Sequence, residues 1–186
     1  MYEIEVKLPL RKGDMVEQGL KELGFEQRFV IREEDHYFDR EDGRIRLGGE
    51  ALRVRSITNL HTGKTASLIT YKGKVMDGPG KSRRELETEV ADGNTAAQIL
   101  NALGFYEVSP AVIKQREEYQ SGRMHACVDH VEKLGDFLEL EIVAERKAER
   151  ESALGEIEKV LVSLGYTMGD TIRNSYLGLL QKQNYE

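Results

Sequence analysis

Alternating charged and apolar side chains near the N-terminus are the feature that most constrains this fold. In Glu3-Ile4-Glu5-Val6-Lys7 the odd positions carry charges and the even positions carry aliphatic side chains. A two-residue period is typical of a β-strand that buries one face. The other face then presents two carboxylates and an ammonium within about 14 Å, at roughly 3.4 Å per residue. The segment therefore predicts a strand with one apolar and one charged face.

Charged and apolar residues alternate again in six further segments of the chain, least clearly in residues 112–119. The recurrences lie at residues 51–56, 66–72, 83–90, 112–119, 123–130 and 136–144. Their polar faces carry mostly Glu, Arg and Lys, whereas a sheet face in solvent usually mixes these residues with Ser, Thr and Gln. Residues 25–39 form a polar and aromatic run, and a glycine-containing loop follows at 42–49. We therefore predict a strand-rich domain in which the charged strand faces have a functional role.

Apolar residues at helical spacing predict four helices, over residues 13–23, 96–103, 154–164 and 172–180. Three of these end in the same way, at Leu23-Gly24-Phe25, Leu103-Gly104-Phe105 and Leu164-Gly165-Tyr166. Glycine at such a position stops a helix. The amphipathic helices provide the cover that the apolar strand faces need.

Two pairs of similar segments, called echoes below, indicate that the domain consists of two related halves. Residues 30–34 resemble residues 112–116, and residues 84–87 resemble residues 137–141. We predict an α+β fold with a pseudo-twofold internal repeat, in which eight antiparallel strands close into a barrel and the helices pack outside. Closure would bring the charged side chains into one lumen: Glu3, Glu5, Lys7, Arg53, Arg55, Lys72, Glu85, Glu87, Lys114, Arg116, Asp129, Glu139 and Glu141. An open sheet with its charged face in solvent is the alternative.

Composition bounds the location and the partners. The 186 residues, 39% of them hydrophobic, suit one domain spanning residues 1–186. A net charge of -6 offers no overall attraction for nucleic acid or anionic membranes. The single cysteine, Cys127, fits a reducing compartment, and no apolar run has the roughly 18 residues of a membrane span. We therefore expect a cytoplasmic protein that does not engage membranes.

The charged residues predicted to line the lumen indicate which ligands it would bind. Clustered Arg and Lys side chains suit a polyanion such as a triphosphate. Carboxylates beside them would repel one another unless they bound a hard dication, and Mg²⁺ is commonly held by one or two carboxylates plus substrate phosphates. This combination favours phosphoryl or nucleotidyl transfer.

The sequence resembles a known family, the CYTH superfamily of triphosphate tunnel metalloenzymes. Residues 3–7 match its N-terminal ExExK signature. Further matches follow in family order, at Leu52-Arg53-Val54-Arg55, Tyr71-Lys72-Gly73, Lys114-Gln115-Arg116, Val128-Asp129 and Gly135-Asp136-Phe137-Leu138-Glu139-Leu140-Glu141. The resemblance covers nearly the whole chain. Ile113-Lys114-Gln115-Arg116, Val128-Asp129-His130, Leu134-Gly135-Asp136-Phe137 and Ser175-Tyr176 look most like class IV adenylyl cyclases, although Glu141 is kept here as in the triphosphatases.

The resemblance implies roles for individual residues. The metal ligands, for Mg²⁺ or Mn²⁺, would be Glu3, Glu5, Glu139 and Glu141. The phosphates would be held by Lys7, Arg53, Arg55, Lys72, Lys114, Arg116 and Arg173. Glu5, Lys7, Asp129 and Glu141 would take part in catalysis. The substrate would be ATP, with cyclic AMP and pyrophosphate as products.

Two alternatives stay open. A tripolyphosphatase or thiamine triphosphatase would use the same residues to direct water at the terminal phosphorus. A binding module would hold a polyphosphate chain or a 5′-triphosphate RNA end without turnover, but a pure anion receptor gains nothing from burying carboxylates beside its ligand.

Residues Ile172, Tyr176 and Leu180 can also be interpreted as the packing face of a helix, with Arg173 beside it. The sequence leaves open whether an outer face forms a homodimer and what Glu85 and Glu87 contact.

Overall fold

A computed structural model describes residues 2–74, 84–144 and 146–183 of the chain. The strands are β1 (Tyr2–Pro9), β2 (Glu26–Asp39), β3 (Ala51–Asn59), β4 (Thr65–Lys72), β5 (Glu85–Val90), β6 (Tyr106–Ser121), β7 (Met124–Val131) and β8 (Gly135–Ala144). The helices are α1 (Val16–Glu22), α2 (Arg44–Leu47), α3 (Gly93–Ala102), α4 (Arg150–Ser163) and α5 (Tyr176–Gln183), with 3-10 turns at Lys147–Glu149 and Met168–Asp170. The predicted α+β class is confirmed. In the described part of the chain, no helix has both the length and the apolar character to cross a membrane.

One antiparallel sheet contains all eight strands, in the order β1-β8-β7-β6-β2-β3-β4-β5. Strands β1 and β5 end this order, so hydrogen bonds between the described residues do not close the sheet. The predicted eight-stranded antiparallel sheet is therefore confirmed. The predicted closed barrel is not established by the hydrogen bonding.

The strand order carries an internal symmetry. Exchanging β1 with β5, β2 with β6, β3 with β7 and β4 with β8 turns the order into its own reverse. A duplicated four-strand motif produces this pattern, in agreement with the predicted repeat. The echo between residues 30–34 and 112–116 falls on β2 and β6, which the exchange relates. The echo between residues 84–87 and 137–141 falls on β5 and β8, which it does not relate, so that echo was wrong.

The described residues divide into two compact units. The first unit contains residues 2–30, 116–144 and 146–174, and the second contains residues 31–74, 84–115 and 175–183. Strands β2 and β6 each contribute to both units.

In the first unit, the apolar faces of β1 and β8 pack against α4. Val6 and Leu8 of β1 are buried, as the alternating pattern predicts, and Leu138 and Leu140 of β8 join them in one core. Helix α4 contributes a fully buried stripe to this core, namely Ala153, Ile157 and Leu161. The apolar face of each strand is thus covered, and the charged side chains must occupy the other face.

In the second unit, α3 covers the apolar face of β3 and β4. Ala96 and Leu100 pack with Phe38 of β2 and Val54 of β3. The helix begins at Asp92, whose carboxylate accepts the backbone N–H groups of residues 94 and 95. Such a cap satisfies amide groups that the first helical turn leaves unpaired.

The three Leu-Gly-aromatic segments end α1, α3 and α4 in the same way. Gly24, Gly104 and Gly165 have φ values of 84°, 81° and 80°. In each case the aromatic residue's N–H donates to the carbonyl of a leucine five residues earlier, with N···O distances of 2.9 to 3.0 Å. This is a Schellman ending, which requires a left-handed residue that glycine adopts without strain. The predicted helix ends are confirmed.

Residues 25–39 differ from the sequence expectation. Most of this polar run is β2, a 14-residue strand, and the following loop contains the one-turn helix α2. The run shows no two-residue period because both of its faces carry charges: Glu33 and Asp35 alternate with Glu34 and His36. The pattern was hidden because the buried positions of this strand include Glu33 and Asp35, whose charges are balanced by Arg55 of β3.

We expect Ile157→Ala in α4 to lower the free energy of unfolding by about 2–5 kcal/mol, because it opens a cavity in the first-unit core. Val162→Ala is the matched control, since Val162 lies on the same helix and is 62% exposed; its effect should stay within about 0.5 kcal/mol. Urea unfolding followed by circular dichroism measures both. Equal effects of the two substitutions would contradict the packing of α4 described above.

Candidate functional site

The first-unit cluster lies on the charged face of β1 and β8. The antiparallel register places Glu5 directly opposite Glu141, and Lys7 directly opposite Glu139. The Lys7 side chain is buried, with its Nζ 3.5 Å from a Glu139 oxygen. A buried ammonium requires such a partner, because an unpaired charge away from water is costly. Strand register therefore sets both the carboxylate pair and the ion pair.

Arg116 of β6 joins this cluster. Its guanidinium donates two parallel hydrogen bonds of 2.6 Å to Asp129 of β7, and its Nη2 atom also contacts Glu139. Burial alone would lower the pKa of Arg116, but the charges of Asp129 and Glu139 outweigh it and raise that pKa well above its ordinary value. Asp129 is fully buried. Its carboxylate thus fixes the direction in which Arg116 points.

Three further residues of the first unit are Glu3, Arg173 and Cys127. Glu3 belongs to β1, but its side chain lies outside the described residues. Arg173 is exposed and has no ion-pair partner among the described residues; the preceding Ile172 N–H donates to the Lys7 carbonyl at 2.7 Å, which places this segment along β1. Burial raises the pKa of the Cys127 thiol to about 12, so the thiol stays protonated at neutral pH.

The second-unit cluster is built on β2 and β3. Arg55 donates to both oxygens of Asp35, at 2.5 and 2.7 Å, and its Nη1 donates to Glu33 at 2.7 Å. Both carboxylates are buried, with 3% or less of each residue exposed. Burial alone would raise the pKa of Asp35, but the hydrogen bonds and charge of Arg55, with help from Arg53 and Lys114, lower it to about 2. Asp35 is therefore ionised at neutral pH.

The other predicted cations of this unit surround that pair. Arg53 is buried beside Asp35, at 3.4 Å, and donates to Thr70 at 3.3 Å. Lys114 of β6 lies 3.0 Å from Glu33 and 5.2 Å from the centre of the Tyr176 ring. The buried Tyr176 of α5 thus packs over a phosphate-binding candidate.

The two acidic positions of β5 are also accounted for. Glu85 pairs with Lys72 at 2.7 Å. Glu87 accepts a 2.7 Å hydrogen bond from Thr70 and lies 3.7 Å from Arg53. The sequence left the role of these glutamates open, and the structure shows both as partners of predicted phosphate-binding cations.

Strand register explains why distant residues meet. Asp35 is opposite Arg55 in the β2–β3 pair. Arg53 is opposite Thr70 in the β3–β4 pair, and Thr70 is opposite Glu87 in the β4–β5 pair. Directly opposed side chains lie on the same face of a sheet, about 4.5–5.5 Å apart. The row of contacts from Arg53 through Thr70 to Glu87 follows from the pairing.

Sequence reasoning missed two residues of the second-unit cluster, Glu33 and Asp35. The signal available was the echo between residues 30–34 and 112–116, which marked β2 as the counterpart of β6. That echo aligned Arg32 with Lys114, but Arg32 is exposed and bonds Glu34 at 2.9 Å. The strands correspond, but the charged residues on them do not, because the second unit uses β2 carboxylates to balance β3 arginines.

The carboxylates of the first-unit cluster fit a hard divalent cation. Like charges placed directly opposite on a sheet repel each other, and Glu5 and Glu141 are placed in this way. A cation between them would remove the repulsion. Among the described residues, no group of three or more His, Cys, Asp or Glu side chains forms a ready metal site. Mg²⁺ does not require one, since it binds through one or two carboxylates plus substrate phosphates.

Comparison with known proteins places this arrangement in context. The model of the CYTH domain matches residues 1–176. A Methanocaldococcus jannaschii protein named "Putative adenylate cyclase" is 37% identical over 181 residues, covering 96% of this chain and 98% of that protein. A solved structure from Pyrococcus horikoshii has a TM-score of 0.86 and 33% identity, with 98% and 99% of the two chains covered.

A more distant solved structure shares the fold. It is a Hippeastrum protein described as a "Putative adenylyl cyclase" with a dominant triphosphatase activity. The TM-score is 0.70 at 18% identity, with 98% of this chain and 96% of that chain covered, so this likeness concerns the fold alone. The family match spans nearly the whole chain and agrees with the ExExK strand and with the clustered cations and carboxylates. The chain therefore belongs to the CYTH domain family.

Proposed function

We propose that this protein is a metal-dependent enzyme that acts on a triphosphate, as a class IV adenylyl cyclase that converts ATP to cyclic AMP and pyrophosphate. The observation that carries the proposal is the β1–β8 register, which pairs Glu5 with Glu141 and Lys7 with Glu139. Two opposed carboxylates beside a buried ammonium suit a metal and a phosphate together. The relative from Methanocaldococcus jannaschii is named as an adenylate cyclase, which supports the cyclase assignment.

The metal would be Mg²⁺ or Mn²⁺, held by Glu5, Glu139 and Glu141, together with Glu3. A bound divalent cation would supply positive charge to the phosphates and lower the pKa of a coordinated hydroxyl. Asp129 would orient Arg116, in accordance with its two hydrogen bonds to that side chain. This supporting role differs from direct contact with the reacting atoms.

The cations would hold the phosphate chain and stabilise the departing charge: Lys7, Arg53, Arg55, Lys72, Lys114, Arg116 and Arg173. In the cyclase reaction the ribose 3′-oxygen forms a bond to the α-phosphorus. The bond from that phosphorus to the bridging oxygen breaks, and pyrophosphate leaves. The hydroxyl proton passes to a carboxylate, for which Glu141 is our candidate. The closed barrel expected from the sequence is part of this proposal, as is a cytoplasmic location.

Asp35 and Glu33 would position these cations before substrate arrives. Arg55 is held through both oxygens of Asp35 and by Glu33, so its guanidinium has one defined orientation. A group that is already oriented loses less conformational freedom when a ligand binds. The carboxylates also balance the arginine charge while no anion is present.

A triphosphatase is the second candidate, because a specific observation favours it. Glu141 is present and lies opposite Glu5, so two carboxylates are available to direct a water molecule at the terminal phosphorus. The Hippeastrum protein, which shares this fold, is described as having a dominant triphosphatase activity, which supports this candidate. A module that binds a polyphosphate or a 5′-triphosphate RNA end without turnover would have no use for this carboxylate pair.

Product analysis tests the proposal. With Mg²⁺ or Mn²⁺, we expect ATP to yield cyclic AMP and pyrophosphate, and EDTA to abolish the reaction. Orthophosphate released fastest from tripolyphosphate or thiamine triphosphate would instead identify a triphosphatase. Ligand binding without turnover of any triphosphate would contradict both enzymatic assignments.

Glu5→Gln should lower turnover by roughly 100-fold, because it removes a metal-binding charge and keeps the side-chain shape. Its stability without metal should not fall, because the substitution relieves repulsion with Glu141. Thermal unfolding in EDTA checks this point. Glu158→Gln on the exposed surface of α4 is the control and should retain full activity. Full activity of Glu5→Gln would remove Glu5 from the metal site.

We expect Asp35→Asn to lower the free energy of unfolding by roughly 2–3 kcal/mol at pH 7. The pKa of Asp35 is about 2 in the folded protein, against about 3.9 in the unfolded chain. A depressed pKa stabilises the fold above pH 4, and this contribution is lost as pH falls towards 2. The difference between wild type and variant should therefore shrink below pH 4.

Urea unfolding from pH 7 to pH 3 measures this dependence. Glu132→Gln is the control, because Glu132 is exposed and has no ion-pair partner among the described residues. A difference between wild type and Asp35→Asn that stayed constant down to pH 3 would contradict the ion-pair assignment.

A further inference from the structure

Tyr37 of β2 lies beside the second-unit cluster, and the proposed function gives it no role. It follows Asp35 by two positions on the strand, so both side chains lie on one face of β2. In the β2–β3 pair Tyr37 is directly opposite Arg53, and directly opposed side chains share a face of the sheet. The next residue, Phe38, packs under α3 on the other face. Tyr37 therefore belongs to the face that carries the cations.

The Tyr37 hydroxyl is an unused hydrogen-bond donor. Within the described part of the chain it has no hydrogen-bond partner. The residue is partly exposed, and the hydroxyl oxygen is not sealed from solvent. A tyrosine that only packs in a fold usually bonds its hydroxyl to a neighbour, as Tyr71 does with Glu50 at 2.8 Å. The O–H of Tyr37 is therefore available to a ligand.

The electrostatic environment of this hydroxyl favours an anionic ligand. The positive charges of Arg53, Arg55 and Lys114 all act on it, together with the negative charge of Asp35. Burial, and then the charge of Asp35, raise the pKa of Tyr37 above its ordinary value, although the three cations oppose this rise. The hydroxyl is therefore neutral at physiological pH. A neutral O–H adds a donor beside three cations without adding a fourth positive charge that would repel them.

Arg53, on the strand position opposite Tyr37, also has a donor to spare. Its Nη1 lies 3.4 Å from Asp35, and its Nη2 donates to Thr70 at 3.3 Å. Its Nε is buried and has no hydrogen-bond acceptor among the residues that the structure describes. Buried N–H groups without an acceptor are rare in native proteins, because each costs free energy. An anionic oxygen bound by Tyr37 would lie beside this guanidinium.

We propose that Tyr37 is a substrate-binding residue whose hydroxyl donates a hydrogen bond to a phosphate oxygen of the triphosphate, beside Arg53. This inference rests on the proposed function and adds a residue to its phosphate site. Arg53, Arg55 and Lys114 attract the phosphate chain over several ångströms, since they act through charge. A neutral hydroxyl acts only at hydrogen-bond distance. Tyr37 therefore fixes the position of one phosphate oxygen on this face of the sheet.

Tyr37→Phe tests this inference, because it removes the hydroxyl and keeps the ring. Calorimetry with Ca²⁺ in place of Mg²⁺ gives the dissociation constants of inorganic tripolyphosphate and adenosine 5′-(α,β-methylene)triphosphate. Loss of a hydrogen bond to a charged acceptor should weaken binding at least about tenfold. Both ligands should lose affinity to the same extent, because the contact is to phosphate. The unfolding temperature without ligand should stay unchanged, because the hydroxyl has no partner among the described residues.

Tyr71→Phe is the matched control. Tyr71 belongs to the same unit, but it lies opposite Leu52, on the α3 side of the sheet. Its hydroxyl is already bonded to Glu50. The affinity of Tyr71→Phe for either ligand should therefore change by less than about twofold.

An unchanged affinity of Tyr37→Phe for both ligands would overturn the inference and leave the proposed function standing. A loss confined to the nucleotide would also overturn it, because Tyr37 would then contact the nucleoside and not a phosphate. An equal loss of affinity in Tyr71→Phe would overturn it as well, because the effect would not be specific to Tyr37. If wild-type protein bound neither ligand and turned over no triphosphate, the proposed function would fail, and the inference with it.

Discussion

The pairing of buried charges is the interaction on which this structure depends. Each strand has two faces, and helices cover the apolar face in both units, so charged side chains occupy the other face. Many of these charges are shielded from water, and an unpaired buried charge costs more than a fold of this size can sustain. Arg55 with Asp35, Arg116 with Asp129, and Lys7 with Glu139 show how the fold meets this requirement.

These ion pairs lie in rows on neighbouring strands, unlike isolated salt bridges. Ion pairs that only stabilise a fold are often replaceable by apolar residues at no loss. Here the arginines and lysines lie in rows set by strand register, with further carboxylates directly opposed in Glu5 and Glu141. Charged clusters of this kind, which depart from the usual pattern of a sheet face, are more often found at functional sites than elsewhere. The function proposed above assigns these positions to a metal and an anion.

The strand order is symmetric, but the two compact units carry different charges. The first unit opposes two carboxylates and holds one arginine through Asp129. The second unit concentrates arginines on β3 and balances them from β2 and β5. The metal ligands proposed above lie in the first unit, whereas the proposed phosphate-binding cations occur in both units.

The sequence by itself determined the alternating strands, the helix ends and the family. These features depend on local periodicity, on glycine's left-handed conformation and on a short signature, all of which are readable along the chain. It also supplied most of the cations, because Lys7, Arg53, Arg55 and Lys72 lie on strands with a clear two-residue period. Only the tertiary structure revealed Glu33 and Asp35, since β2 is charged on both faces and its burial comes from partners on other strands. Register decided which charges meet, because opposed residues are far apart in sequence and a shift of one position would turn every side chain to the other face.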